Sequence, residues 1–131
     1  SPFAADYLRQ LSRAGVKLAV ATGLPQKLYE PCLKKNGIYD LFDVLCSTDD
    51  MARGKESPDI FVHCADRLGV APEQCLVFED VLPAVRSAKQ AGMTVYGVYD
   101  KYSQHNMEAI KKIADGYLFD FRDAPLPTME G

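Results

Sequence analysis

Val16-Lys17-Leu18-Ala19-Val20-Ala21-Thr22-Gly23 decides how the rest of this chain is read. Apart from Lys17, the run Val16 to Ala21 is apolar, strand-length, and free of the polar alternation that marks a strand with one wet face. It therefore predicts a central strand in a parallel sheet. Upstream, Phe3 to Ala14 predicts a helix, with Leu8 and Leu11 on one face and Gly15 as its stop. Downstream, a second helix is expected to begin near Pro25, a residue suited to the first helical position, and to end at Asn36-Gly37.

The same alternation runs on to the carboxyl terminus. Asp43 to Ser47 predicts a strand, and Ser57-Pro58-Asp59 starts a helix with Ser57 as N-cap, Pro58 at the first position and Asp59 against the positive end of the dipole. Ile60, Cys64 and Leu68 lie along that helix before Gly69. A strand Cys75 to Phe78 follows, then a small-residue helix Pro83 to Ala91 ending at Gly92, in which Ala84, Val85, Ala88 and Ala91 permit close packing. Thr94 to Val98, a helix Met107 to Ala114, a strand Tyr117 to Phe119 and a tail from Asp123 complete the chain. Strand and helix in strict succession is the rhythm of an α/β fold.

A length of 131 residues fits one domain, and 47% hydrophobic with 25% charged residues is the balance of an ordinary soluble protein. The net charge of −3, with no basic block, offers no footprint for DNA or RNA. No apolar run approaches the roughly 20 residues of a membrane span, and the first residues do not read as a leader, so a cytoplasmic protein is expected. Cys32, Cys46, Cys64 and Cys75 are widely spaced, form no CxxC pair and read as small apolar residues rather than zinc ligands or disulfides. His63, on a helix, and His105, in a polar loop, read as surface residues.

In open α/β sheets, ligands bind beyond the carboxyl ends of the strands. Three such ends carry reactive groups. Thr22-Gly23 offers a hydroxyl and an approachable backbone N–H ahead of a helix, a corner suited to a phosphate oxygen, although the same pair also makes an ordinary turn. Lys55 precedes the capped helix and is placed to reach the same anion, unless it is one more solvated lysine; Gly54-Lys55 lacks the other residues of a Walker loop. Phe78-Glu79-Asp80 delivers two adjacent carboxylates, whose repulsion a cation would offset and whose hard oxygens suit Mg²⁺; the alternative is that Asp80 caps the next helix. Together, a hydroxyl, a lysine and an acidic pair at successive strand ends are the parts that hold and neutralise a transferring phosphoryl group.

Leu18-Ala19-Val20-Ala21-Thr22-Gly23 resembles the second motif of the haloacid-dehalogenase-like superfamily. Gly54-Lys55-Glu56-Ser57-Pro58-Asp59-Ile60-Phe61 resembles its third, and Val77-Phe78-Glu79-Asp80 with Ala84, Ala88 and Ala91-Gly92-Met93 its fourth, most like the β-phosphoglucomutase branch. The resemblance implies a doubly wound, mostly parallel sheet. It implies phosphate binding by Thr22 and the Gly23 backbone, charge stabilisation by Lys55, and Mg²⁺ held by Asp80 with Glu79 as a direct or outer ligand. The substrate class it implies is a small phosphorylated metabolite, with a phosphatase or a mutase as the intact enzyme.

Two departures matter. Glu56 stands where the family commonly has Pro after the lysine. No Asp-x-Asp occurs in the sequence, whereas the family attacks phosphate with the first Asp of an Asp-x-Asp-Gly motif on its first strand. The helical cap that selects substrate is likewise absent, and the first residue stands about where a chain would leave that cap. The resemblance puts the nucleophile strand at the sheet centre, between the strands that end at Thr22 and at Glu79-Asp80. Its loss leaves strand edges unpaired, at a cost on the order of 1–3 kcal/mol per buried group. The expectation is a partial core, inactive alone, whose sheet is completed by a missing N-terminal segment or by another chain. A non-catalytic binding module that keeps the anion and metal site is the alternative, and the absence of G-x-G-x-x-G argues against a nucleotide-binding Rossmann or flavodoxin-like module.

Overall fold

The computed structural model describes residues 3–127, and the end of the expected tail lies outside them. Five helices alternate with five strands: α1 (Ala4–Arg13), β1 (Ala19–Thr22), α2 (Gln26–Lys35), β2 (Val44–Ser47), α3 (Asp59–Leu68), β3 (Leu76–Glu79), α4 (Leu82–Gln90), β4 (Thr94–Val98), α5 (Met107–Ile113) and β5 (Gly116–Leu118). The four glycines expected to end helices, Gly15, Gly37, Gly69 and Gly92, all carry positive φ, the conformation in which a helix terminates without Cβ strain.

Several boundaries move by one to three residues. β1 begins at Ala19 because Val16 still donates its N–H to Leu11 of α1, and it runs through Thr22, so the hydroxyl belongs to the last strand residue. β3 likewise extends through Glu79, α4 starts at Leu82 rather than Pro83, and β5 starts and ends one residue early. Pro25 is the N-cap of α2, in extended conformation, rather than its first helical residue. At α3 the helical hydrogen bonding begins one residue late, yet Ser57 Oγ accepts the Asp59 N–H at 3.3 Å and so performs the capping expected of it.

Every strand pairing is parallel. The strands form two sheets, β1-β2 and β3-β4-β5, and no pairing joins β1 to β3. Period-two alternation sends Ala19, Ala21, Val44, Cys46, Val77 and Val95 to one face, under Ile60, Phe61 and Cys64 of α3, Ala84 and Val85 of α4, and Ile110 of α5. Leu18, Phe78, Tyr96 and Leu118 point to the opposite face, under Tyr7 and Leu11 of α1. Helices thus cover both faces, the doubly wound arrangement of the haloacid-dehalogenase-like fold. Tyr7 is held there by an edge-on contact with Phe78 at 5.6 Å and by a hydrogen bond from its hydroxyl to the Pro125 carbonyl at 2.6 Å.

Both apolar clusters span the break between the sheets, so the helices hold together what hydrogen bonds do not. Between the facing edges lies a cavity of about 480 Å³. Leu18, Ala19 and Ala21 line one side and Val77, Phe78 and Glu79 the other. This slot separates β1 from β3, the two strands between which the resemblance puts a further strand.

Candidate active site

The site is built at the carboxyl ends of β1, β2 and β3. Thr22 is fixed by its place in β1, and its Oγ1 accepts the Leu24 N–H at 3.1 Å. That bond occupies an acceptor position and leaves the hydroxyl proton to donate elsewhere. Gly23 follows in an ordinary negative-φ backbone, and a Cβ there would come no nearer than 4.0 Å to Thr48 Oγ1. The structure therefore gives no conformational reason for glycine at 23; its small size only leaves the backbone approachable.

Lys55 sits in a tight turn closed by the Ser57 N–H on the Gly54 carbonyl at 3.1 Å. Glu56, the residue in the unusual place, folds back so that its Oε1 accepts the Gly54 N–H at 3.2 Å. From this turn the Lys55 side chain passes 5.9 Å from the centre of the Phe61 ring and forms an ion pair with Glu79. Glu79 is 8% exposed, and burial pushes its carboxyl above the usual carboxylate range, with Lys55 offsetting part of that rise. Both Glu79 oxygens are engaged, Oε2 by Lys55 and Oε1 by the Asp80 N–H at 3.2 Å.

Asp80 differs. It is half-buried, and its carboxylate makes no hydrogen bond or ion pair among the described residues. It does not cap the next helix, because the N-cap of α4 is Val81 and carries no side-chain cap. Lys55 thus meets Glu79, which lines one side of the slot, and Asp80 follows Glu79 in the chain. Thr22 ends the strand on the other, and Ala21 and Glu79, from those two strands, line the same cavity. Thr22 makes no hydrogen bond to Lys55, Glu79 or Asp80.

Sequence reasoning missed Ser47. It is 3% exposed, pairs in register with Thr22, donates from Oγ to the Leu24 carbonyl at 2.7 Å and accepts the Asp49 N–H at 3.1 Å. The available signal was Ser47-Thr48-Asp49-Asp50, a polar run at the end of an apolar strand. His63 lies in α3 and His105 in the turn before α5, neither bonds to a residue of this site, and all four cysteines are free thiols. No helix among the described residues is long and apolar enough to cross a membrane.

As for a divalent cation, no three His, Cys, Asp or Glu side chains converge among the described residues. The unpartnered Asp80 carboxylate fits a hard cation, and Glu79, already bonded through both oxygens, fits best as a support beside it.

The chain is 35% identical over 124 residues to validoxylamine A 7'-phosphate phosphatase of Streptomyces hygroscopicus subsp. limoneus, an alignment covering 95% of the chain and 56% of that protein. It is 35% identical over 99 residues to a phosphorylated carbohydrates phosphatase of Thermotoga maritima, covering 75% and 46%. Among solved structures, CbbY of Rhodobacter sphaeroides in complex with phosphate superposes with a TM-score of 0.85 at 34% identity, over 93% of the chain and 54% of CbbY. The chain spans about half the length of these relatives. Residues 2–92 match the family model of the haloacid dehalogenase-like hydrolases, and with the parallel doubly wound core and its three strand-end motifs this establishes that the chain belongs to that family.

Proposed function

We propose that this chain is the carboxyl-terminal core of a Mg²⁺-dependent phosphohydrolase acting on a small phosphorylated metabolite. The observation that carries the reading is the slot between β1 and β3, strands that end in Thr22 and in Glu79, with Lys55 paired to Glu79 and Asp80 next in the chain. A parallel strand in that position, supplied by another segment of the polypeptide or by another chain, brings the nucleophilic Asp between the phosphate corner and the acids. Phosphoryl transfer then proceeds through an aspartyl-phosphate to water. The named phosphatases among the relatives and the phosphate complex of CbbY support this reading.

Each residue has a defined part. Thr22 donates its free hydroxyl proton to a phosphoryl oxygen, with the Gly23 N–H beside it. Lys55, oriented by Glu79, neutralises the charge that builds on the transferring group. Asp80 holds Mg²⁺, with Glu79 behind it, and the ion when bound supplies further charge neutralisation at the phosphoryl oxygens. The chain by itself, having no nucleophile, is inactive.

The test is hydrolysis of p-nitrophenyl phosphate by a polypeptide in which an Asp-x-Asp-Gly strand accompanies this chain. Activity is expected only with Mg²⁺ and only with that strand. Cys75, half-buried, lines the slot, so its labelling by a maleimide should slow when the strand is present. Unchanged labelling together with no hydrolysis sinks the proposal, as does a chain that is monomeric and cooperatively folded alone and has the slot closed.

A further inference from the structure

The ends of β1 and β2 meet at one register pair, Thr22 beside Ser47, and the peptide groups of Leu24 are clamped between them. Its N–H donates to Thr22 Oγ1 at 3.1 Å, and its carbonyl accepts from Ser47 Oγ at 2.7 Å. Ser47 is 3% exposed and also accepts the Asp49 N–H at 3.1 Å. One buried hydroxyl therefore ties the loop after β1 to the turn after β2. Leu24 itself is largely exposed and makes no deep core contact, so packing does not hold it in place.

A hydroxyl carries one proton and two acceptor positions. Thr22 uses an acceptor position for the Leu24 N–H, which turns its own proton away from Leu24. We propose that Ser47 is a positioning residue for phosphate recognition: by holding the Leu24 carbonyl it keeps the Leu24 N–H on Thr22 Oγ1, and so aims the Thr22 proton at a phosphoryl oxygen. The inference rests on the phosphate-binding role proposed for Thr22. A serine that served stability alone would have the same burial, but its loss would act independently of Thr22.

A double-mutant cycle separates the two. Inhibition of p-nitrophenyl phosphate hydrolysis by inorganic phosphate is measured for the protein complete with its slot strand, for Thr22→Val, for Ser47→Ala, and for the double variant. Each single change is expected to weaken phosphate binding about five- to tenfold, the size of one hydrogen bond. The double variant is expected to be no weaker than Thr22→Val, because Ser47 acts through Thr22. The Leu24 amide proton should move upfield in Ser47→Ala. Losses that multiply in the double variant, a Ser47→Ala protein that binds phosphate like the parent, or an unmoved Leu24 amide would each overturn the inference. Parent-like phosphate binding in Thr22→Val would instead remove the Thr22 role itself. Should Ser47→Ala fail to fold, Ser47→Cys, similar in size but a weak donor, replaces it in the cycle with the same expected and overturning results.

Discussion

The two rims of the sheets use carboxylates in opposite ways. At the amino rim, Asp43 and Asp115 stand one residue before β2 and β5 and make the same clamp. Asp43 donates its N–H to the Leu18 carbonyl at 2.7 Å and accepts the Leu18 N–H on Oδ2 at 2.8 Å. Asp115 repeats both bonds with Val95, at 2.7 and 2.8 Å, and adds Lys89 at 2.9 Å. At the carboxyl rim, Glu79 is paired and buried while Asp80 has no partner among the described residues. A strand-end carboxylate whose lone pairs are filled by its neighbour's backbone is architecture. One left without a partner, next in the chain to the residue a lysine engages, is the candidate for chemistry.

Changes at each rim should separate stability from activity. The largest effect is expected for Lys55→Ala. Turnover of the complete protein should fall at least about a hundredfold, the scale of losing one electrostatic stabiliser. Stability should also fall, by about 3 kcal/mol at neutral pH, because Glu79 is left buried without its counter-charge. The sign with pH follows from the raised Glu79 carboxyl, which climbs further once Lys55 is gone. The native state then takes up a proton more readily than the unfolded one, so the deficit should shrink as pH falls and grow as it rises. Denaturant titrations at several pH values would show it, and a deficit independent of pH would deny Glu79 its pairing role.

Asp80→Asn should lower turnover by about the same hundredfold and leave stability within about 0.5 kcal/mol, since no partner is lost within the chain. A large loss of stability would make Asp80 architectural after all. Asp43→Ala should do the reverse, costing about 1 kcal/mol in thermal or chemical denaturation without altering turnover per folded molecule. The smallest effect is expected at Asp115, whose side chain is 41% exposed: Asp115→Asn should cost less than about 1 kcal/mol. The Val95 N–H, then Lys89, hold the Asp115 carboxyl below its usual value of 3.8. Its contribution is therefore present above that value and fades as pH drops through the lower native one.

Sequence alone made the helix ends legible because their signals are local: a glycine at positive φ after Ala14, Asn36, Leu68 and Ala91, and Ser57 beside Asp59. The strand-end motifs were legible for a related reason, since each sits within a few residues of the apolar run that delivers it. Ser47 was not, because its significance is the Leu24 carbonyl 23 residues away. The Lys55–Glu79 pair was only half legible. Both residues stood out, but their contact crosses 24 positions, and it leaves Glu79, expected as a direct or outer ligand, bonded through both oxygens.

The order of α/β units, their approximate limits and the residue types at the rim were written into this chain by itself, because periodicity, caps and turn residues act over one or two turns of backbone. Which carboxylate is engaged and which is open, and which hydroxyl holds which loop, was decided only by the tertiary structure. Parallel strands bring together residues separated by a whole helix, and only folding determines whether their polar groups find partners.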